Sequence, residues 1–290
     1  MEFEKKKSEK QFWDYEIKPQ NHLLALKLKE VWKYRDLLAL FVRRDFVAEY
    51  KQTILGPLWY IIQPIFTAYT YYFFLHKMGN MKTDGMPPFL FYIAGLTIWA
   101  YFASCLTKTS ETFIANANIF GKVYFPRLIV PLSIVVSNLI KFGLQFILLL
   151  VFLAYFSYLD NGFTFSLRWE LIFIPIPIIL IAGLSFAMGI LISSLTSKYR
   201  DLKFALNFGV QLLMFASAVV ISFNSVSEDF RTVLKWNPIA NVVELFKTIM
   251  IGHSPIDWNG VLYSAGFLVL LLLLGIIIFN KTEKTFMDTV

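Results

Sequence analysis

Six stretches of this 290-residue chain are apolar enough, for long enough, to cross a lipid bilayer. That leaves the backbone few options. In hydrocarbon every peptide N–H and C=O needs a partner inside the protein, so a run of about 20 apolar residues has to be helical. The runs lie near residues 58–75, 89–106, 128–155, 171–195, 204–223 and 258–279. Apolar residues make up 57% of the chain, against about 45–50% in a typical soluble domain. The sequence therefore predicts an all-α membrane protein with six transmembrane helices.

The segment over 34–64 predicts how the chain enters the bilayer. Leu37, Leu40, Phe41, Val47 and Ala48 share one helical stripe, interrupted by Arg44, with Arg43, Asp45, Glu49 and Lys51 around it. Such a helix suits the headgroup region, its basic side chains snorkelling outward. Gly56-Pro57 then breaks it, because proline lacks the donor and crowds the preceding turn.

The net charge of +7 raises the possibility of nucleic acid, but the basic residues sort by loop. Twenty lie on the side of the N-terminal segment and six on the other, which predicts cytosolic termini. Anionic lipid is the expected electrostatic partner, and nucleic acid is not. Residues 1–33 read as a charged cytosolic extension ahead of a membrane domain over 34–290; they lack the apolar core of a cleaved signal peptide.

Two connecting segments stand out. Between the last two runs, residues 224–257 hold two short apolar pieces split by Asn237-Pro238, each too short to cross. They read as two short re-entrant helices, or else as surface helices of a loop. Between the second and third runs, Ser110 can cap a helix with Glu111 in its first turn, and Gly121 can end it.

Catalytic chemistry is hard to place. The phosphate-binding pattern GxxxxGK[ST] is missing, so ATP hydrolysis is not expected of this chain. His22, His76 and His253 lie far apart, Cys105 is single, and the runs contain no acidic pair. What the runs carry is polar stripes: Tyr60, Gln63, Thr67, Thr70 and Tyr71 in the first; Asn138, Lys141 and Gln145 in the third; Asn207 and Gln211 in the fifth. These face either other helices or a watery path. Lys141 is the strongest single signal, as an intramembrane lysine faces a functional site or a helix or subunit interface. Aromatic clusters at Tyr69, Tyr71, Tyr72, Phe73 and Phe74, and at Trp99, Tyr101 and Phe102, suit an interfacial belt or a lining on which sugar rings stack.

Four segments, YKQTILGPLWYIIQP (50–64), KVYFPR (122–127), KYRD (198–201) and NPIANVVE (237–244), occur in an order that resembles the membrane subunits of type-2 ABC exporters. Within that group the chain looks most like permeases for lipid-linked polysaccharides such as O-antigen, capsule-like glycans and teichoic acids. The resemblance implies a homodimer working with two copies of a separate ATPase in the bacterial cytoplasmic (inner) membrane. ATP and Mg would belong to that partner, with no cofactor bound by this chain. It also implies that the first and fifth spans line the conduit, which singles out Tyr60, Gln63, Thr67, Tyr71, Asn207 and Gln211; Lys141 joins them as a lining candidate on its position alone. The interfacial helix and the 110–121 loop would seat in the ATPase through Leu37, Phe41, Glu111, Phe113, Asn116 and Lys122. Arg43, Arg44 and Lys51 would meet a lipid-linked diphosphate or, equally, anionic membrane lipid. Two rival readings are a permease for a small hydrophobic compound and an intramembrane glycan-modifying enzyme. The enzyme would have to draw on residues such as Asp160-Asn161 or Glu228-Asp229.

Overall fold

Helix α4 (Pro88–Ser110) forms the axis on which the other long helices pack. Pro88 sits in its first turn, where a missing N–H leaves nothing unsatisfied. Around it pack α7 (Ile129–Leu159), α8 (Pro175–Thr196) and α11 (Pro238–Met250), with α12 (Trp258–Thr289) on the far side of α8. The structure is a computed structural model describing residues 28–51, 53–159, 168–223, 225–252 and 255–289. Apart from α1 (Leu28–Lys33), the charged N-terminal extension lies outside these residues, as do His22, His253 and Asp160-Asn161. The described residues are helical with turns and no strand.

Lipid is as apolar as leucine, so helices in a bilayer are held by close packing and small residues rather than by escape from water. Gly189 of α8 lies against α4, where an added Cβ would stand 2.6 Å from the Thr109 Cβ. At the same end Thr196 Oγ1 donates to the Ser110 carbonyl at 2.6 Å. Gly95 of α4 lies so close to Val219 that any Cβ would collide with its carbonyl oxygen.

Among the described residues, four helices are long and apolar enough to cross a membrane: residues 88–110, 129–159, 169–196 and 258–283. The other two expected spans depart from simple α-helices. The first is α3 (Trp59–Tyr71), which runs directly into a π-helical stretch, Tyr72–Met78. The fifth is α9 (Leu202–Phe215), only 14 residues and about 21 Å long at 1.5 Å per residue. It ends because the chain turns at 216–223, where Ala218 adopts a left-handed φ of 53°. Most of this irregular stretch is buried, and side chains from elsewhere take up two of its carbonyls. Asn237 Nδ2 donates to Ala216 at 2.7 Å, and Lys247 Nζ donates to Ala218 at 2.9 Å. Non-helical backbone at such depth is tolerated where protein satisfies it.

The break at Asn237-Pro238 separates α10 (Glu228–Trp236) from α11, and Asn237 Oδ1 caps α11 by accepting from the Ile239 N–H at 3.0 Å. Eleven of the thirteen α11 residues are buried, so it belongs to the core rather than to a surface loop.

The 110–121 helix expected from the sequence is replaced by two single turns, α5 (Thr112–Ala115) and α6 (Ala117–Phe120). Ser110 does not cap them. It closes α4, and its Oγ donates back to the Thr107 carbonyl at 2.6 Å. Thr112 and Asn116 likewise bond back to the carbonyls of Thr109 and Thr112, and such local bonds compete with a continuous helix.

Two further expectations are corrected. The α2 (Arg35–Tyr50) stripe does not act as one face: Phe41 is buried, whereas Leu40 and Val47 are exposed. Trp99, Tyr101 and Phe102 form no outer belt; they are buried in the α4 core, because α4 is covered on nearly every side.

Candidate functional site

The third polar stripe points inward. Asn138, Lys141 and Gln145 are all buried on α7, and Lys141 Nζ forms an ion pair with Glu49 at the C-terminal end of α2. Lys108 of α4 reaches the same carboxylate at 3.3 Å, and the Lys141 ammonium lies 5.6 Å from the centre of the Tyr60 ring. Glu49 thus knots α2, α3, α4 and α7. Burial pushes its carboxyl up, but a hydrogen bond from Lys141, the Lys108 and Lys141 charges and the Tyr60 hydroxyl outweigh this. Together they hold it below its ordinary 4.5. Sequence reasoning marked Tyr60 and Lys141 separately. It missed Glu49 as their common partner, although Glu49 is one of only two acids, with Asp45, among the basic residues at the end of α2.

Beside this knot lies a cavity of about 560 Å³, walled by α2, the end of α4, α5, α6 and α7. Arg44, Glu49, Lys108, Glu111, Asn116 and Asn138 contribute polar groups to it. Asn138 Nδ2 donates to Ile134, while its buried Oδ1 has no hydrogen-bond partner among the described residues. Arg44 pairs with its neighbour Asp45 at 2.8 Å and lies over Phe41. Arg43 and Lys51 are exposed.

The α3 and α9 stripes face outward instead. Gln63, Asn207 and Gln211 are exposed, Tyr60 and Thr67 are half-buried, and Tyr71 joins the two helices by directing its hydroxyl at Met214 Sδ, 4.0 Å away. Thr67 satisfies its hydroxyl on the Gln63 carbonyl. Within the described chain only Val210 of α9 is buried, and Phe204, Phe208 and Leu212 stand clear of it.

The proposed ATPase contacts divide. Phe41 and Phe113 are buried in an aromatic platform with Phe120, Phe125 and Phe279, which bonds α2 to the α5–α6 turns and to α12. Asn116 is also buried, and Leu37 is half-buried against the same platform. Glu111 pairs with Lys203 at 2.9 Å. Lys122 remains exposed, in a tip with Val123 and Tyr124, two residues that the sequence reading placed in the KVYFPR motif without giving them a contact role. The tip is anchored behind by Arg127, whose Nη1 donates to the Glu283 carbonyl at 2.8 Å.

Sequence reasoning also missed Lys247, which it counted as a loop charge. Lys247 is fully buried, pairs with Glu244 at 2.9 Å, donates to Ala218 and lies 3.9 Å from the centre of the Phe91 ring. An acid and a base three residues apart in an otherwise apolar helix was the available signal. Among the described residues no group of His, Cys, Asp or Glu is assembled as a metal site.

The sequence matches known proteins over nearly its whole length. A family model described as ABC-2 type transporter matches residues 36–251. An O-antigen export system permease protein of Klebsiella pneumoniae is 32% identical, over 91% of this chain and 99% of its own. One of the same description from Myxococcus xanthus is 23% identical over 91% and 98%. A polysialic acid transport protein of Escherichia coli is 22% identical over 87% and 95%. The chain therefore belongs to the ABC-2 type transporter family of membrane proteins.

Proposed function

We propose that this chain is the membrane permease of an ATP-driven exporter that moves lipid-linked polysaccharide outward across the bacterial cytoplasmic membrane. The observation that carries the reading is its end-to-end similarity to permeases named for O-antigen export. The bare α9 face supports a homodimer, since a helix with Asn207, Gln211, Phe204 and Phe208 all uncovered needs a second copy or a watery path beside it. In this reading the helical stretch 59–78, about 30 Å long, and α9 with its turn complete a set of six spans. The α10–α11 pair dips in without crossing, and both termini are cytosolic. Tyr60, Gln63, Thr67, Tyr71, Asn207 and Gln211 line the conduit between the two copies.

Two copies of a separate ATPase, which holds the ATP and Mg, seat against the Lys122–Val123–Tyr124 tip and the outer face of α2. The aromatic platform makes α2 and the tip one body, so ATPase closure moves both. ATP binding supplies the differential free energy between closed and open dimers. Lys141 then acts as the α7 anchor of the α2 knot rather than as a lining group. Arg43 on α2 and Lys51 just after it are exposed, and Arg44 walls the cavity beside them; there a lipid-linked diphosphate would be met.

The test is a deletion strain. Lipid-linked glycan should accumulate on the cytosolic face of the membrane while the cell surface loses it. Normal surface glycan would overturn the reading.

A further inference from the structure

Two cavities beside α10, α11 and α12, of about 180 and 420 Å³, share Lys235, Asn241, Asp257 and Gly260 in their walls and so form one groove. None of the roles described above uses it. Trp236 lies along its edge, 69% exposed but fixed in place. The Trp236 carbonyl accepts the Tyr263 hydroxyl at 2.9 Å, and the two rings meet edge to face with centres 6.0 Å apart. A belt tryptophan needs only lipid beside it. This one adjoins a groove walled by polar side chains.

The polar set selects a ligand class. Glu244 is already paired with Lys247 at 2.9 Å and Arg231 with Glu228 at 3.5 Å, which leaves Lys235 opposed by Asp257, so a phosphate-like anion would meet its cation only beside a carboxylate. Asn241 and Asn259 add amides that both donate and accept. A neutral ligand rich in hydroxyls, each also donor and acceptor, matches such a lining, and its C–H face suits the electron-rich face of an indole. Asp257 is preset: its Oδ1 accepts from the Asn259 and Gly260 N–H groups at 3.1 and 3.2 Å. Gly260 keeps the junction open, since a Cβ there would stand 3.3 Å from Asn241 and 3.4 Å from Asp257 Oδ2.

We propose that this groove is a saccharide-binding subsite on the extracytosolic face, with Trp236 as the stacking platform and Asn241, Asn259 and Asp257 as hydroxyl partners. It rests on the export reading above and deepens it: the permease holds sugar units of its glycan outside the conduit, as they emerge.

The full chain, co-purified with its ATPase in nanodiscs, would be examined by saturation-transfer NMR. The probe is delipidated polysaccharide fragments released from the surface of the parent cells. Saturation should pass to sugar-ring protons, and Trp236→Ala and Asn259→Ala should each weaken binding about tenfold. Asn259 is exposed and Trp236 gives up only its edge contact with Tyr263, so the melting temperature should stay in place for Asn259→Ala and shift little for Trp236→Ala. Absence of transfer, or transfer unchanged in both variants, would overturn the subsite. So would saturation passing from the protein to lipid headgroup protons alone, which would make Trp236 an interfacial anchor. The deletion strain separates the two ideas: glycan retained inside with no fragment binding removes the subsite alone, whereas normal surface glycan removes the export reading itself.

Discussion

Glu49 of α2 and Lys141 of α7 are ion-paired at the point where α2 meets the bundle of long apolar helices, with Lys108 3.3 Å from the same carboxylate. An intramembrane lysine without a partner is costly. The pair explains why Lys141 is tolerated, and it makes α2 part of the bundle rather than an ornament on the lipid surface.

Replacing either partner strands the other. Glu49→Gln should lower the melting temperature in detergent and cut glycan export, and the charge-reversed pair Glu49→Lys with Lys141→Glu should recover part of both. The pH dependence has a definite sign. A carboxyl held below its ordinary value stabilises the fold above about pH 4.5 and loses that contribution as pH falls through its folded value. Wild type and Glu49→Gln should therefore differ most near neutrality and converge in acid.

Lys247 should be more sensitive than any exposed lysine. Lys247→Met leaves the half-buried Glu244 carboxylate and the Ala218 carbonyl without their cation. Breaking such a pair typically costs about 3–5 kcal/mol. Lys247→Met with Glu244→Gln should be less damaging than the sum of the single changes, as read in a double-mutant cycle of denaturation.

Gly95→Ala places a methyl group against the Val219 carbonyl, which is backbone and has little room to move. Overpacking of this kind costs about 1–3 kcal/mol. Gly143→Ala on α7 meets nothing within 4 Å and should stabilise its helix by about 0.5–1 kcal/mol. Thermal unfolding of the two variants side by side would check the contrast.

Residues of the aromatic platform and of the tip beside it should divide by exposure. Phe113→Ala empties a fully buried site and should destabilise the fold by about 3–5 kcal/mol. Tyr124→Ala, at a position 62% exposed, should leave melting unchanged and reduce co-purification with the ATPase.

The α9 face offers a direct test of the dimer. With the buried Cys105 changed to Ser, Asn207→Cys should be the sole thiol, and mild oxidation should link two copies of the chain on a denaturing gel. A cysteine at buried Val210 should not react.

Much of the fold was legible because it rests on local properties. Runs of apolar residues fix helices in lipid whatever surrounds them, and the break at Asn237-Pro238 follows from proline's missing donor. The break expected at Gly56-Pro57 falls earlier, because α2 already ends at Tyr50 and Pro57 sits in the turn that opens the next helical stretch. The family motifs were legible for the same reason, being short and contiguous. Individual faces were not. Trp99, Tyr101 and Phe102 had the composition of a belt yet are buried, while Phe204 and Phe208 of α9, no more apolar, are exposed. In a bilayer both faces of a helix are apolar, so hydrophobic periodicity cannot tell lipid from a neighbouring helix.

The sequence by itself determined that this is an all-helical membrane chain and that it carries the segments of an exporter permease. Only the tertiary structure decided that Lys141 meets Glu49 across 92 residues of sequence, that Lys247 belongs to the core, and that α9 stops at Phe215. Those outcomes depend on which distant group satisfies a buried charge or an open carbonyl. No local pattern encodes a partner that only the packed bundle brings within reach.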